Sequence, residues 1–256
     1  MSKDRFADYR QLGYDDFRQL ASRDDLSLHQ KIGFPNEYRE GFAQVILADV
    51  RAKLPALDRP AAVVLDIGAG CGELALQMQR QARVLEQRLL LNDSAEVLAA
   101  LPESAGSQKV AGRFPEELGE YLDGWRGGFD AVLCYSVFQY VFAEGRPFDF
   151  LDQALALLAP GGRLLIGDLP SSGMLQRFLA SDSGKAYHRQ YSGRDEDPEV
   201  HFNRLQPGRI DDAVLLGLMA RARAAGFDAW LVPQPSSLPM ANRREDLLFQ
   251  RPGARP

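Results

Sequence analysis

Apolar residues along this chain gather in short runs of strand length, and each run is followed by a stretch with helical spacing. The runs predict strands over Ala61–Asp66, Arg88–Leu91, Lys109–Ala111, Phe129–Tyr135 and Gly162–Asp168. Helices are predicted between them over Glu73–Gln81, Ser94–Leu101, Pro115–Leu122 and Phe148–Leu158, the last closed by Ala159-Pro160-Gly161-Gly162. Strand and helix in alternation imply an α/β fold with a parallel sheet covered on both faces. Residues 1–56 read as a helical cap, amphipathic over Gly41–Leu54, with Pro55 to Pro60 leading into the first strand.

The end of the chain changes register. A last helix is predicted from Asp212 to Ala225, its apolar face set by Val214, Leu215, Leu218, Met219 and Ala222. Gly226-Phe227 fits a glycine cap followed by a hydrophobic contact. Two strands close the chain, Ala229–Val232 and Asp246–Gln250, around a proline-rich loop. One domain of four parts is expected: the cap to residue 56, a core over 57–170, an insertion over 171–210, and the last helix with its hairpin over 211–256.

The chemistry is most legible where the first strand ends. Asp66-Ile67-Gly68-Ala69-Gly70-Cys71-Gly72 runs off the apolar stretch Ala61–Leu65, and helix formers resume at Glu73. Glycines at alternate positions let the backbone turn and approach a ligand with no Cβ in the way. A dinucleotide fingerprint would read G-x-G-x-x-G. Here the third glycine comes one residue early and an acid precedes the loop, which suits a cationic ligand better than a pyrophosphate. Val64-Leu65-Asp66-Ile67-Gly68-Ala69-Gly70-Cys71-Gly72 resembles motif I of the class I S-adenosylmethionine-dependent methyltransferases. That family has a doubly wound, Rossmann-like seven-stranded sheet ending in a hairpin, one strand of which inserts antiparallel. The late hairpin here agrees with it, and the resemblance spans roughly residues 60–170 and 211–252.

The resemblance implies S-adenosylmethionine as cofactor, S-adenosylhomocysteine as product, and a site at the carboxyl ends of the strands. Asp66 and the backbone of Gly68, Ala69 and Gly70 would hold the methionine part. After the second strand the family has an acid on the ribose. The helix start aligns Asn92 with that acid, while Asp93 is the alternative, and Asp93 with Glu96 also spells a helix-capping pattern. After the third strand Arg113 stands where an acid is common, and Phe114 would lie against the adenine or pack in the core. The Cys134 carbonyl would face the methionine ammonium, with Tyr135 beside the sulfonium, where an aromatic face attracts a cation. Gln139, Tyr140 and Arg243 are expected to bind the acceptor. A faint likeness to methyltransferases of surface-glycan biosynthesis runs through Phe148-Asp149-Phe150-Leu151 and Asn242-Arg243-Arg244-Glu245-Asp246.

Transfer from a sulfonium needs positioning and the loss of one acceptor proton. The histidines are His29, His188 and His201, and the last two fall in the inserted segment. Asp168, at the tip of the fifth strand, is the other base candidate, so Asp168, His188 and His201 form the catalytic set. Asp168, His188, Glu199 and His201 have no metal-ligand spacing, and no metal is expected. Helical extensions before the first strand commonly fold over the cofactor, which makes the stretch containing Lys31-Ile32-Gly33-Phe34-Pro35 and Tyr38-Arg39 a candidate lid.

Composition narrows the setting. In 256 residues with 45% hydrophobic content there is enough apolar surface for one good core. A net charge of −5 argues against a nucleic-acid partner, and no apolar run reaches the ~18 residues of a membrane span. Two unpatterned cysteines, Cys71 and Cys134, and a charged start to the chain point to a reducing cytoplasm. The reading is methyl transfer to a small polar acceptor, at a hydroxyl oxygen of a sugar or glycan precursor, with a homodimer contact through the last loop as a further candidate. The alternatives are a nicotinamide-dependent oxidoreductase of Rossmann type and a non-catalytic S-adenosylmethionine-binding protein.

Overall fold

The computed structural model describes residues 12–23, 25, 26, 28–31, 41–204 and 206–253. Seven strands form one sheet in the order β3-β2-β1-β4-β5-β7-β6: β1 Val63–Ile67, β2 Arg88–Asp93, β3 Ser107–Ala111, β4 Phe129–Tyr135, β5 Leu158–Pro170, β6 Asp228–Pro233 and β7 Arg244–Gln250. β1 to β5 are parallel, and β7 runs antiparallel between β5 and β6. The chain order reverses between β1 and β4, which opens a crevice at the carboxyl ends of those strands.

The central strands are apolar on both faces because each face is covered. Leu65, Ile67, Leu90, Val132 and Ile166 enter one core, while Val64, Leu89, Leu91, Leu133 and Leu165 enter the other. The first core is closed by α7 (Phe138–Glu144), α8 (Pro147–Ala156) and α11 (Asp212–Ala224). The second is closed by α3 (Ala43–Lys53), α4 (Glu73–Val84) and α5 (Ala95–Ala99). α1 (Tyr14–Ala21) and the short α2 (Leu28–Lys31) lie ahead of α3.

Four details depart from the pattern read in sequence. The helix predicted over Pro115–Leu122 forms only as α6, Gly119–Asp123, because Arg113 to Leu118 make a turn in which the Arg113 N–H is taken by the Glu117 carboxylate at 2.8 Å. The unpredicted α7 precedes α8, and Pro147 opens α8 where its missing N–H costs nothing. The stop signal after α8 is drawn into β5, Gly161 N–H donating to the Arg251 carbonyl. Two helices also fill the inserted segment, α9 (Ser172–Ala180) and α10 (Asp182–Ser192), started by the hydroxyls of Ser171 and Ser181. Gly226 at φ +89° and the Phe227 N–H to Ala222 carbonyl bond close α11 as the sequence suggested.

Candidate active site

The glycine-rich loop is folded back onto the end of β2. The Gly68 and Ala69 N–H groups both donate to the Asn92 carbonyl, at 2.9 and 3.0 Å, and the Gly70 N–H donates to the Asp93 carboxylate at 2.9 Å. Gly68 has φ +70°, and a Cβ there would stand 2.5 Å from Val137 Cγ2 on the β4–α7 connection. Only glycine meets both conditions. α4 then starts at Gly72, a cap with no side chain to bond the first-turn N–H groups.

These turns place two acids with raised pKa values at the head of the crevice. Asp66, buried behind the loop, is pushed up to about 7 by its burial and then by the charge of Asp93. Burial lifts Asp93 to about 6, opposed by the N–H groups of Gly70 and Ser94. Asp93 lines the crevice with Gly68, Ala69 and Gly70, whereas Asp66 lies one residue behind its wall, after which Ile67 emerges. Asn92 also borders the crevice, but both its amide hydrogens go to β3, to the carbonyls of Val110 (2.9 Å) and Gly112 (2.8 Å). The capping pattern read from Asp93 and Glu96 does not form. Ser94 Oγ caps α5 through the Val97 N–H, and Glu96 pairs with Arg18 instead.

α1 closes the outer side. Arg18 holds the Glu96 carboxylate at 2.8–3.2 Å, Phe17 meets Tyr140 edge to face at 4.9 Å, and the Tyr14 N–H reaches Glu144 at 3.4 Å. Tyr14, Phe17 and Glu144 line the crevice, although the sequence singled out none of them. At the start of this helix the Gly13 N–H donates to the Asp16 carboxylate at 2.8 Å, and that acid in the first turn is the local signal for it. Arg113 stands on the same rim, 5.5 Å over the Tyr14 ring and 3.6 Å from the Glu144 carboxylate. Phe114 both lines the crevice and packs edge to face on Phe150 at 4.9 Å. Of the candidate lid stretch, Lys31 is described and lines the crevice; residues 32–39 lie outside the described residues.

The inner end is built where β4 and β5 stop. Tyr135 and Ser136 line the crevice, the Tyr135 ring lying against Gly167, where a Cβ would come within 2.5 Å of it. Ser136 Oγ donates to the buried Asp168 carboxylate. Asp168 occupies a bulge in the β5–β7 ladder, and β7 mends the break with side chains. The Asp246 carboxylate accepts the Asp168 N–H at 2.8 Å, and Arg244 donates to the Asp168 carbonyl at 2.9 Å. Asp246 is fully buried and also accepts from Gln234 (2.9 Å) and from Lys53 of α3 (2.7 Å). The glycan-enzyme likeness in Phe148–Leu151 and Asn242–Asp246 therefore falls partly on core packing by Phe150 and on this buttress.

Other residues expected at the site stand elsewhere. Cys134 is wholly buried in the sheet and does not line the crevice, its thiol pushed up by desolvation. Gln139 donates to the Ser136 carbonyl at 2.7 Å from outside the lining, and its buried Oε1 has no hydrogen-bond partner among the described residues. Tyr140 does line it. Arg243 is spent on Tyr187, 3.3 Å from its hydroxyl and 5.3 Å over its ring. His188 lies half-buried on α10, and exposed His201 bonds Glu199 at 2.6 Å; neither lines the crevice. The inserted segment was expected to carry catalytic histidines, but its helices pack on each other and on the β6–β7 loop. Among the described residues no three His, Cys, Asp or Glu side chains are grouped to hold a metal, and no helix is long and apolar enough to cross a membrane.

Known proteins share this fold. Residues 65–164, from β1 into β5, match the family model described as a methyltransferase domain. The plantazolicin methyltransferase BpumL, solved with SAH, superposes with a TM-score of 0.55 at 15% identity over 92% of this chain and 95% of that one. A putative methyltransferase solved with the Haloferax volcanii Trm112 activator gives 0.50 at 13% identity over 93% and 98%. At such identities the likeness is one of fold. No curated protein matches the sequence at a significant level. Residues 65–164 thus carry a methyltransferase domain, and the acid-led glycine loop and the antiparallel β7 set it in a fold shared with a methyltransferase solved with SAH.

Proposed function

We propose that the crevice binds S-adenosylmethionine under α1 and that the protein methylates a hydroxyl of a small polar acceptor, a sugar or glycan precursor being the class to test first. The carrying observation is the pairing of Ser136, on the crevice wall, with the buried carboxylate of Asp168. The cofactor supplies an activated methyl group, so the protein's tasks are to orient two ligands and remove one proton.

Asp93 is the better ribose ligand of the two candidates. Its oxygens each accept one backbone N–H and keep acceptor capacity, whereas Asn92 has committed both its donors to β3. Phe114 offers a face to adenine, and Tyr14 and Phe17 cover that end. Gly68, Ala69 and Gly70 shape the wall for the amino-acid tail, with Asp66 acting on its ammonium as a buried charge behind them. Tyr135 and Tyr140 present aromatic surface beside the transferring group.

Proton removal falls to Asp168 through Ser136. As the acceptor oxygen attacks, its proton passes to Ser136 Oγ and the Ser136 proton to Asp168 Oδ2. The two residues return to their resting form when Asp168 loses the proton to solvent. His188 and His201 have no place in this route, being outside the crevice.

Calorimetric titration with S-adenosylhomocysteine, with NAD as control, tests the cofactor. Roughly micromolar binding of the first alone, weakened at least tenfold by Asp93→Ala, is expected. Binding of NAD in its place overturns the reading. Methyl transfer from labelled S-adenosylmethionine to a panel of hydroxylated acceptors tests the acceptor class; transfer only to amines or thiols overturns that part.

A further inference from the structure

We infer that Lys53 is a positioning residue for the methyl transfer: through Asp246 it fixes the bulge that presents Asp168 to Ser136, which makes α3 a common frame for the cofactor wall and the base. The inference rests on the base role proposed for Asp168 above.

Asp168 sits where the β5–β7 ladder breaks, in a left-handed backbone conformation that its surroundings must enforce. Its N–H is taken by Asp246 Oδ1, which also accepts from Gln234. The other oxygen of that carboxylate meets Lys53: Nζ lies 2.7 Å from Asp246 Oδ2 and 2.5 Å from the carboxylate of Asp49, one turn back on α3. The Asp246 side chain is wholly buried and that of Lys53 only 11% exposed. The Lys53 carbonyl in turn accepts from Arg163 of β5 at 3.2 Å. The lysine is thus held at its backbone and at its ammonium, with the ammonium set against the carboxylate that grips the Asp168 N–H. About two to three turns earlier on the same helix, Ala43 and Ile46 line the crevice.

Stability alone does not account for such an arrangement. Taking two charges out of water costs about as much as their attraction returns, and apolar side chains of similar size serve a core as well or better. What the ion pair adds is a fixed geometry. Burial pushes the Asp246 carboxyl up, and Lys53 is the strongest influence against it, by its charge and by its hydrogen bond. An ionised Asp246 makes a charge-assisted bond to the Asp168 N–H, about twice as strong as a neutral one. Loss of Lys53 favours the neutral acid and weakens that hold. Arg244 would still grip the Asp168 carbonyl, so the loosening is confined to the bulge.

Amide exchange measured by NMR on the full chain tests this without an acceptor. Asp168 is compared with Leu165, which pairs with Leu133 and Leu248 in the same strand. In Lys53→Met the Asp168 amide is expected to exchange about tenfold or more faster relative to Leu165, the mark of a local opening. Lys53→Arg should return most of the protection. Equal acceleration of both amides would make Lys53 a contributor to global stability only, and that result, like no acceleration at all, overturns the inference. With a hydroxylated acceptor from the panel above, kcat of Lys53→Met should fall about tenfold while KM for S-adenosylmethionine stays within about twofold. An unchanged kcat beside a loosened Asp168 overturns the positioning role. If Asp168→Asn itself leaves turnover intact, the base role fails, while the amide comparison still decides what Lys53 does to the bulge. A cooperative urea transition shows that Lys53→Met is folded; should it not fold, Asp246→Asn, which keeps the shape of the side chain, carries the same comparison.

Discussion

Ser136 and Asp168 face each other across the ends of β4 and β5, joined hydroxyl to carboxylate, and both hold a left-handed backbone, φ +62° and +59°. Neither is glycine, so each conformation costs about 1–3 kcal/mol and persists only where the surroundings enforce it. The enforcement is visible: the Ser136 N–H donates to the Gly167 carbonyl at 3.0 Å, while Asp246 and Arg244 hold both backbone polar groups of Asp168. Two strained residues bonded to each other at the crevice wall carry the proposed proton route.

Asp168→Asn keeps the shape of the side chain and removes its basicity. Turnover on a hydroxyl acceptor is expected to fall about 100-fold or more, the usual scale of general-base catalysis, with S-adenosylhomocysteine affinity within about threefold. Radiolabel transfer and calorimetry on one preparation check the split. A parallel loss of affinity would mark the residue as architectural only.

The two loop acids make binding pH-dependent. Asp66 near 7 and Asp93 near 6 both lie above the ordinary carboxylate value of 3.8, so the unliganded folded chain binds extra protons between about pH 4 and pH 7. Their contribution to stability is full below about pH 4 and is lost as pH rises through 6 to 7. The ligand's ammonium favours an ionised Asp66 and its ribose hydroxyls donate best to an ionised Asp93, so affinity for S-adenosylhomocysteine should climb from about pH 6 to pH 8. Titrations in buffers of different ionisation enthalpy should register proton release near the lower end, and a flat profile would contradict the pair's role.

Gly68→Ala should abolish cofactor binding and destabilise the fold by about 1–3 kcal/mol. The new methyl would meet Val137 Cγ2 at 2.5 Å at a backbone φ of +70°. Urea unfolding of the variant, alone and with ligand, gives both numbers.

Arg18 and Glu96 are joined by two guanidinium nitrogens, yet the pair is largely exposed. Its loss in Arg18→Ala should cost less than about 1 kcal/mol of stability. Because the pair anchors α1 over the crevice, S-adenosylhomocysteine should nevertheless leave several-fold faster. Stopped-flow displacement reads that rate, and an unchanged rate would show that α1 is held by its other contacts, Phe17 on Tyr140 and Tyr14 on Glu144 and Arg113.

Much of this protein was legible in its residues because the informative signals are local. Apolar runs of strand length such as Phe129–Tyr135, bounded by turn residues, read as strands buried on both faces, and the glycines of the acid-led loop after Leu65 mark a tight turn by their own backbone freedom. Gly226 likewise ends its helix by its own backbone freedom. Tertiary packing alone decided the rest. Asp93 and Asn92 are neighbours in the chain, and only the pairing of β2 with β3 turns the Asn92 amide into a sheet tie and leaves Asp93 on the wall. The lid residues Tyr14, Phe17 and Lys31 are remote in sequence from the loop they adjoin, and no periodicity records such contacts. The histidines that looked chemical are carried off with the α9–α10 hairpin, whereas Ser136, unremarked within an apolar stretch, is brought against Asp168 by the parallel register of β4 and β5. Local propensity determines elements and turns; which side chains meet depends on strand order and register, which the whole core sets.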